Sequence, residues 1–121
     1  MARIFVVDDK QFFHQMYRTL FELEGHRIVG NAYNGQEAVV EYKKLKQRPD
    51  IVIMDHLMPV RNGLEAASDI LQYDPEAKII FVSVDQSIAE IAVNMGAKKF
   101  ITKPFHMDRL LDDIKNIASS N

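Results

Sequence analysis

A chain of 121 residues, 47% hydrophobic and 26% charged, has the size and mix of one globular domain with a single core. Its formal net charge of −2 gives no general attraction to nucleic acid or an anionic membrane, and the lack of cysteine excludes disulfides, thiolate metal sites and cysteine nucleophiles. The opening apolar run stops at Asp8, too short for a signal peptide or a membrane span, so one cytoplasmic, monomeric domain over residues 1–121 is expected.

Residues 4–7 (IFVV) are continuously apolar, as a strand covered on both faces requires. Phe13, Met16, Tyr17 and Leu20 then recur at helical spacing, with Gly25 as a stop. Arg27, Ile28 and Val29 form a weaker strand signal. Asn34, three before Glu37, marks a helix start, and Ala38, Tyr42 and Leu45 share one face of that helix ahead of Pro49. The basic stretch 43–48 reads as the solvated helix end, where cations suit the dipole.

Residues 51–54 (IVIM) are a second strong strand. Asn62 with Glu65 starts a helix carrying Leu64, Ala67 and Leu71 up to Asp74 and Pro75. Residues 79–82 (IIFV) form the fourth strand. Ser87, three before Glu90, predicts a helix with Ile88, Ile91, Ala92 and Met95 inward and Ala89, Glu90, Val93 and Asn94 outward, ending at Gly96. Phe100 and Ile101 mark the last strand. Met107, Leu110, Leu111, Ile114 and Ile117 mark the last helix. Five β-α alternations imply an α/β fold: a doubly wound parallel sheet with right-handed crossovers and helices on both faces.

In such sheets ligands bind at the C-terminal ends of the strands. Asp8 and Asp9 follow the first strand, Asp55 the third, Ser83 the fourth and Lys103 the fifth. Three close carboxylates cannot all stay ionised without counter-charge. Lys103 supplies one positive charge, and a divalent cation would supply two more. Oxygen ligands in a small open site select a hard ion such as Mg²⁺. Asp8 and Asp9 thus read as half of a metal cup. A carboxylate can attack a phosphoryl group covalently, and that transfer needs mainly positioning and charge neutralisation. Asp55, central and followed by a turn, is the candidate acceptor.

The stretches "VVDD", "IVIMDHLMPVRNGLEA", "IIFVSV" and "GAKKFITKPF", in this order, resemble the receiver domain of two-component response regulators, closest to the stand-alone CheY-like chemotaxis type. The resemblance covers essentially the whole chain. It implies a flavodoxin/CheY-like (βα)5 sheet of order 2-1-3-4-5, an order carried over from the family. It implies that Asp55 is phosphorylated, with Asp9 and Asp55 as direct Mg²⁺ ligands, the Leu57 carbonyl as another, and Asp8 acting through water. Ser83 and Lys103 would contact the phosphoryl group, Phe100 would be the aromatic switch residue, and the Lys103–Pro104 bond would be cis. A sensor histidine kinase would be the phosphodonor. The output would be a partner protein controlled through the fourth helix, fifth strand and fifth helix, without nucleic acid or membrane. Val84 after the switch hydroxyl, Arg61 and Asn62 before Gly63, and His56 after the acceptor depart from the usual pattern.

A receiver excised from a larger regulator is the first alternative. A flavodoxin-like cofactor binder is the second, but it needs a Ser/Thr/Gly-rich phosphate loop where Asp8 and Asp9 stand. Aspartate-based phosphatases carry Asp-x-Asp there, which "DDK" is not. A pseudo-receiver would lack an acidic or lysine position, and all are filled. His14, His26, His56 and His106 show no metal spacing and read as surface or capping residues, with His56 a partly exposed bystander.

Overall fold

The computed structural model describes residues 1–120. The elements run β1 (Arg3–Val7), α1 (Gln11–Leu23), β2 (Arg27–Ala32), α2 (Gly35–Lys44), β3 (Ile51–Met54), α3 (Gly63–Tyr73), β4 (Ile79–Ser83), a 3-10 turn (Gln86–Ile88), α4 (Ala89–Met95), β5 (Lys99–Thr102) and α5 (Met107–Ala118). All strand pairs are parallel, in the order β2-β1-β3-β4-β5. This is the doubly wound fold and strand order expected above.

Successive strand residues point to opposite faces. Phe5, Val7, Val52, Met54, Ile79 and Phe81 pack with Tyr42 of α2, Ile70 of α3 and Ala92 of α4. Ile4, Val6, Ile51, Ile53, Ile80 and Val82 pack with Tyr17 and Phe21 of α1 and Leu110 and Ile114 of α5. Helices therefore cover both faces of β1, β3 and β4, which is why those strands are apolar without alternation. Each fully buried aliphatic or aromatic side chain contributes about 1.5–3 kcal/mol, so these central strands hold the site rigidly.

The edge strand β2 runs three residues further than its apolar signal, to Ala32. Its register against β1 shifts between Ile4 and Phe5. A Cβ on Gly30 would lie 2.6 Å from Phe5 Cδ1, so only glycine lets β2 cross that ring. The caps at Asn34 and Asn62 form, the second as a reciprocal capping box with Glu65.

Two expectations fail around α4. Ser87 does not cap it: the Asp85 side chain accepts from the Ser87 N–H and hydroxyl, starting a 3-10 turn, and α4 begins only at Ala89. Ile88, Ala92 and Met95 then face the core, while Ile91 is 54% exposed. Val93 faces out as expected. The basic end of α2 is also not merely solvated. Arg48 pairs with Asp74 at 2.8 Å, Asp74 also accepts from the Tyr42 hydroxyl at 2.6 Å, and the guanidinium covers the Tyr73 ring. That network fastens the α2–β3 connection to the end of α3.

Gly63, at the start of α3, sits against the chain leaving β3. Its N–H donates to the His56 carbonyl at 2.9 Å, and an added Cβ would stand 2.1 Å from the Asp55 carbonyl oxygen. Alanine gains about 1 kcal/mol over glycine in helix propensity, but overpacking against backbone costs about 3 kcal/mol. Gly63→Ala is therefore expected to lower stability by about 2 kcal/mol net, measured by chemical denaturation. A neutral or stabilising result would contradict the close approach.

Candidate functional site

Pairing of β1 with β3 sets Val7 beside Met54, so Asp8 and Asp55 leave the sheet at one level. The Asp55 N–H donates to the Val7 carbonyl and the Asp8 N–H to the Ala32 carbonyl. One oxygen from each of Asp8, Asp9 and Asp55 lies within 4.8 Å of the others. Asp8 and Asp55 are buried, at 2% and 6% exposure. Pairing of β4 with β5 sets Ser83 beside Thr102, and the Lys103 N–H donates to the Ser83 carbonyl at 2.9 Å. Lys103 thereby enters the site. Its Nζ is 2.8 Å from Asp8 Oδ2 and 3.7 Å from Asp55 Oδ2. It also sits 3.8 Å from the centre of the Phe13 ring, a cation–π contact that spacing did not reveal. The Lys103–Pro104 peptide is cis.

Ser83 is fully buried, and its hydroxyl accepts the Asp85 N–H at 3.3 Å. Phe100 is half-buried on β5, stacked against Phe81 at 6.5 Å. Leu57 and Val84 stand exposed at the rim. With Phe13, Met16, Phe105 and Met107 they line a largely apolar cavity of about 560 Å³ that opens beside Asp55 and Lys103.

One ammonium does not balance three carboxylates. Burial pushes the Asp55 carboxyl above the ordinary carboxylate range; Lys103 opposes this, Asp8 adds to it, the His56 N–H bond opposes it, and Asp9 adds to it. Burial first, then Asp8 and Asp55, also push the Tyr17 hydroxyl upward. Among the described residues Asp9 Oδ1 is buried without a hydrogen-bond partner, and exposed Lys10 approaches it only to 3.5 Å. A buried carboxylate oxygen left so, beside two more carboxylates, fits a hard divalent cation of the Mg²⁺ kind.

Two histidines differ from their sequence reading. His56 is 7% exposed, and its Nδ1 accepts the Leu64 N–H at 3.3 Å. It packs the start of α3 against the Asp55 loop and is no exposed bystander. His14 is also buried, between Asp8 and Asn31. The other two keep the expected roles: His26 Nδ1 accepts the Ala2 N–H, and His106 is exposed at the start of α5.

The family model for the response regulator receiver domain matches residues 4–115. The chain belongs to the response regulator receiver family. This receiver is 42% identical to protein CcdB of Bacillus subtilis over 97% of its own length and 98% of that protein's. It is 41% identical to the chemotaxis protein CheY of Thermotoga maritima, over 96% of this chain and 97% of the relative. Among solved structures, the CheX–CheY–BeF3–Mg²⁺ complex of Borrelia burgdorferi contains a chain that it matches with a TM-score of 0.91 at 30% identity, covering 98% of this chain and 90% of that one. A receiver is a phosphorylation-dependent signalling domain and not a conventional enzyme, so the flavodoxin-like reading falls. Among the described residues, no helix of this receiver is long and apolar enough to cross a membrane.

Proposed function

We propose that residues 1–121 form a phospho-switch in which Asp55 accepts a phosphoryl group from a phosphohistidine of a sensor histidine kinase, or from a small phosphodonor. The observation that carries this is Lys103 Nζ set between the carboxylates of Asp8 and Asp55, at the mouth of a buried acidic cluster. An Asp55 oxygen forms the bond to phosphorus as the bond from phosphorus to the histidine nitrogen breaks, and that nitrogen keeps the electron pair. Asp9, Asp55 and the Leu57 carbonyl would hold Mg²⁺, with Asp8 acting through water, and the bound cation would supply the neutralisation that Lys103 alone does not. Lys103 and the Ser83 hydroxyl take phosphoryl oxygens.

The readout is a relay from charge to packing. The new phosphoryl group gives the Ser83 hydroxyl an acceptor, and its movement frees space beside β4 for the Phe100 ring. Phe100 has no hydroxyl to hold it in water, so the change is a shift between existing populations. The surface of α4, β5 and α5 then changes for its partner. Ile91 and Val93 put exposed apolar area on α4, and Lys98 and Lys99 stand at the start of β5. The likeness to chemotaxis proteins supports a protein partner from that pathway, as the Borrelia CheY is found in complex with CheX.

Beryllofluoride with Mg²⁺ is expected to shift the amide resonances of Phe100, Lys99 and Val93 as well as the loops around Asp55. Changes confined to those loops would refute the coupling.

A further inference from the structure

The phosphoryl chemistry above leaves His14 unused, although it is a buried polar side chain with both ring nitrogens engaged. Nε2 lies 2.7 Å from the Asp8 carbonyl oxygen, and Nδ1 lies 2.8 Å from Oδ1 of Asn31 on β2. A carbonyl can only accept, so Nε2 carries a proton; Nδ1 then accepts from the Asn31 side-chain amide, turned so that its NH2 faces the ring. The ring also stacks on Tyr33, centroids 4.1 Å apart. Tyr33 is itself fixed at both ends: its N–H donates to Glu37 and its hydroxyl to Gln11. The imidazole therefore has one place and one orientation.

Asp8 has few other restraints that survive phosphorylation. Its Oδ2 holds Lys103, which must turn towards the incoming phosphoryl group, and its Oδ1 accepts the Lys10 N–H at 2.9 Å. The main chain is held by the Ala32 carbonyl on one side and by His14 on the other.

We propose that His14 is a positioning residue for the acidic site: by tying the Asp8 main chain to α1 and, through Asn31, to β2, it keeps the Asp8 carboxylate in the cluster when Lys103 is drawn away. This rests on the reading of Asp8, Asp9 and Asp55 as the cation and phosphoryl site. Groups that orient metal ligands without touching the metal typically change affinity by about 10–100-fold when removed.

His14→Phe keeps the stack and most of the volume but loses both hydrogen bonds. Ile114→Val, in the core between the sheet and α5, is the control for a loss of stability alone. Two quantities are measured well below the melting temperatures: the Mg²⁺ dissociation constant from amide shifts, and hydrogen exchange of the Asp8 amide in metal-free protein. His14→Phe is expected to weaken Mg²⁺ by about tenfold or more and to speed Asp8 exchange, while Ile114→Val leaves both near wild type. Wild-type affinity and unchanged Asp8 exchange in His14→Phe would overturn the proposal. If wild type itself binds no Mg²⁺, the cation reading fails while the exchange comparison still decides the role of His14. Should His14→Phe not fold, Asn31→Ala, which removes the Nδ1 partner, takes its place: weaker Mg²⁺ and faster Asp8 exchange support the role, and no change in either overturns it.

Discussion

Asp55→Asn is expected to abolish acyl phosphate formation and, without metal, to make the protein more stable. The first effect follows from chemistry: a carboxamide has no anionic oxygen with which to attack phosphorus. Incubated with a small phosphodonor and Mg²⁺, wild type should gain the mass of one phosphoryl group and the variant none. Efficient phosphorylation of the variant at the same position would remove Asp55 as acceptor. The second effect follows from burial. Desolvation raises the Asp55 carboxyl above its ordinary value, and Lys103 only partly offsets this. The folded state therefore binds the proton more tightly than the unfolded state does. The penalty is full above the folded-state value. It is relieved as pH falls through that value, and it is gone below the unfolded one of 3.8. At neutral pH with a chelator present, Asn removes the penalty, and the melting temperature should rise by a few degrees. Mg²⁺ should stabilise wild type more than Asp55→Asn, because a cation repays only a charge that is there. A lower melting temperature of the variant in chelator would show that the cluster is already neutralised by the protein.

The second large effect is expected at Asp9. Among the described residues its buried Oδ1 has no hydrogen-bond partner, and the cation paired with it, exposed Lys10, stays 3.5 Å away. Asp9→Ala should weaken Mg²⁺ by more than about 100-fold, beyond the loss typical of groups outside the ligand shell. It should also raise metal-free stability by about 1 kcal/mol, the lower part of the cost of a buried unsatisfied polar group. The two changes have opposite signs, which separates a ligand from a structural residue: removing a structural aspartate would lower stability whatever it did to the metal. Mg²⁺ titration followed by amide shifts, with denaturation in chelator, reads both. Unchanged affinity would remove the metal cup.

Much of this was legible in the chain itself. The apolar runs through 4–7, 51–54 and 79–82 announce central strands because helices cover both of their faces, and no polar residue can be placed there cheaply. Polar residues resume where each strand ends, so Asp8, Asp9, Asp55, Ser83 and Lys103 stand out, and parallel topology brings them to one edge. Asn34 and Asn62 cap their helices because that signal spans a single turn.

What the tertiary structure decided depends on segments far apart in sequence. Ser87 has the spacing of a cap, but the Asp85 side chain takes its N–H first, and the delayed start of α4 turns Ile91 outward. Arg48 looks like one more solvated cation until Asp74 and Tyr73 arrive from the end of α3. Phe13 reads as plain core on the stripe of α1, yet it lies beneath Lys103, brought there from β5. His14 lies off that stripe and reads as exposed. It is buried because β2 and Tyr33 close over it and Asp8 offers it a carbonyl. Periodicity and capping report what a residue does within its own turn or strand. Whether a polar side chain can be buried depends on the partner that another segment brings to it, and only the assembled sheet and helices determine that.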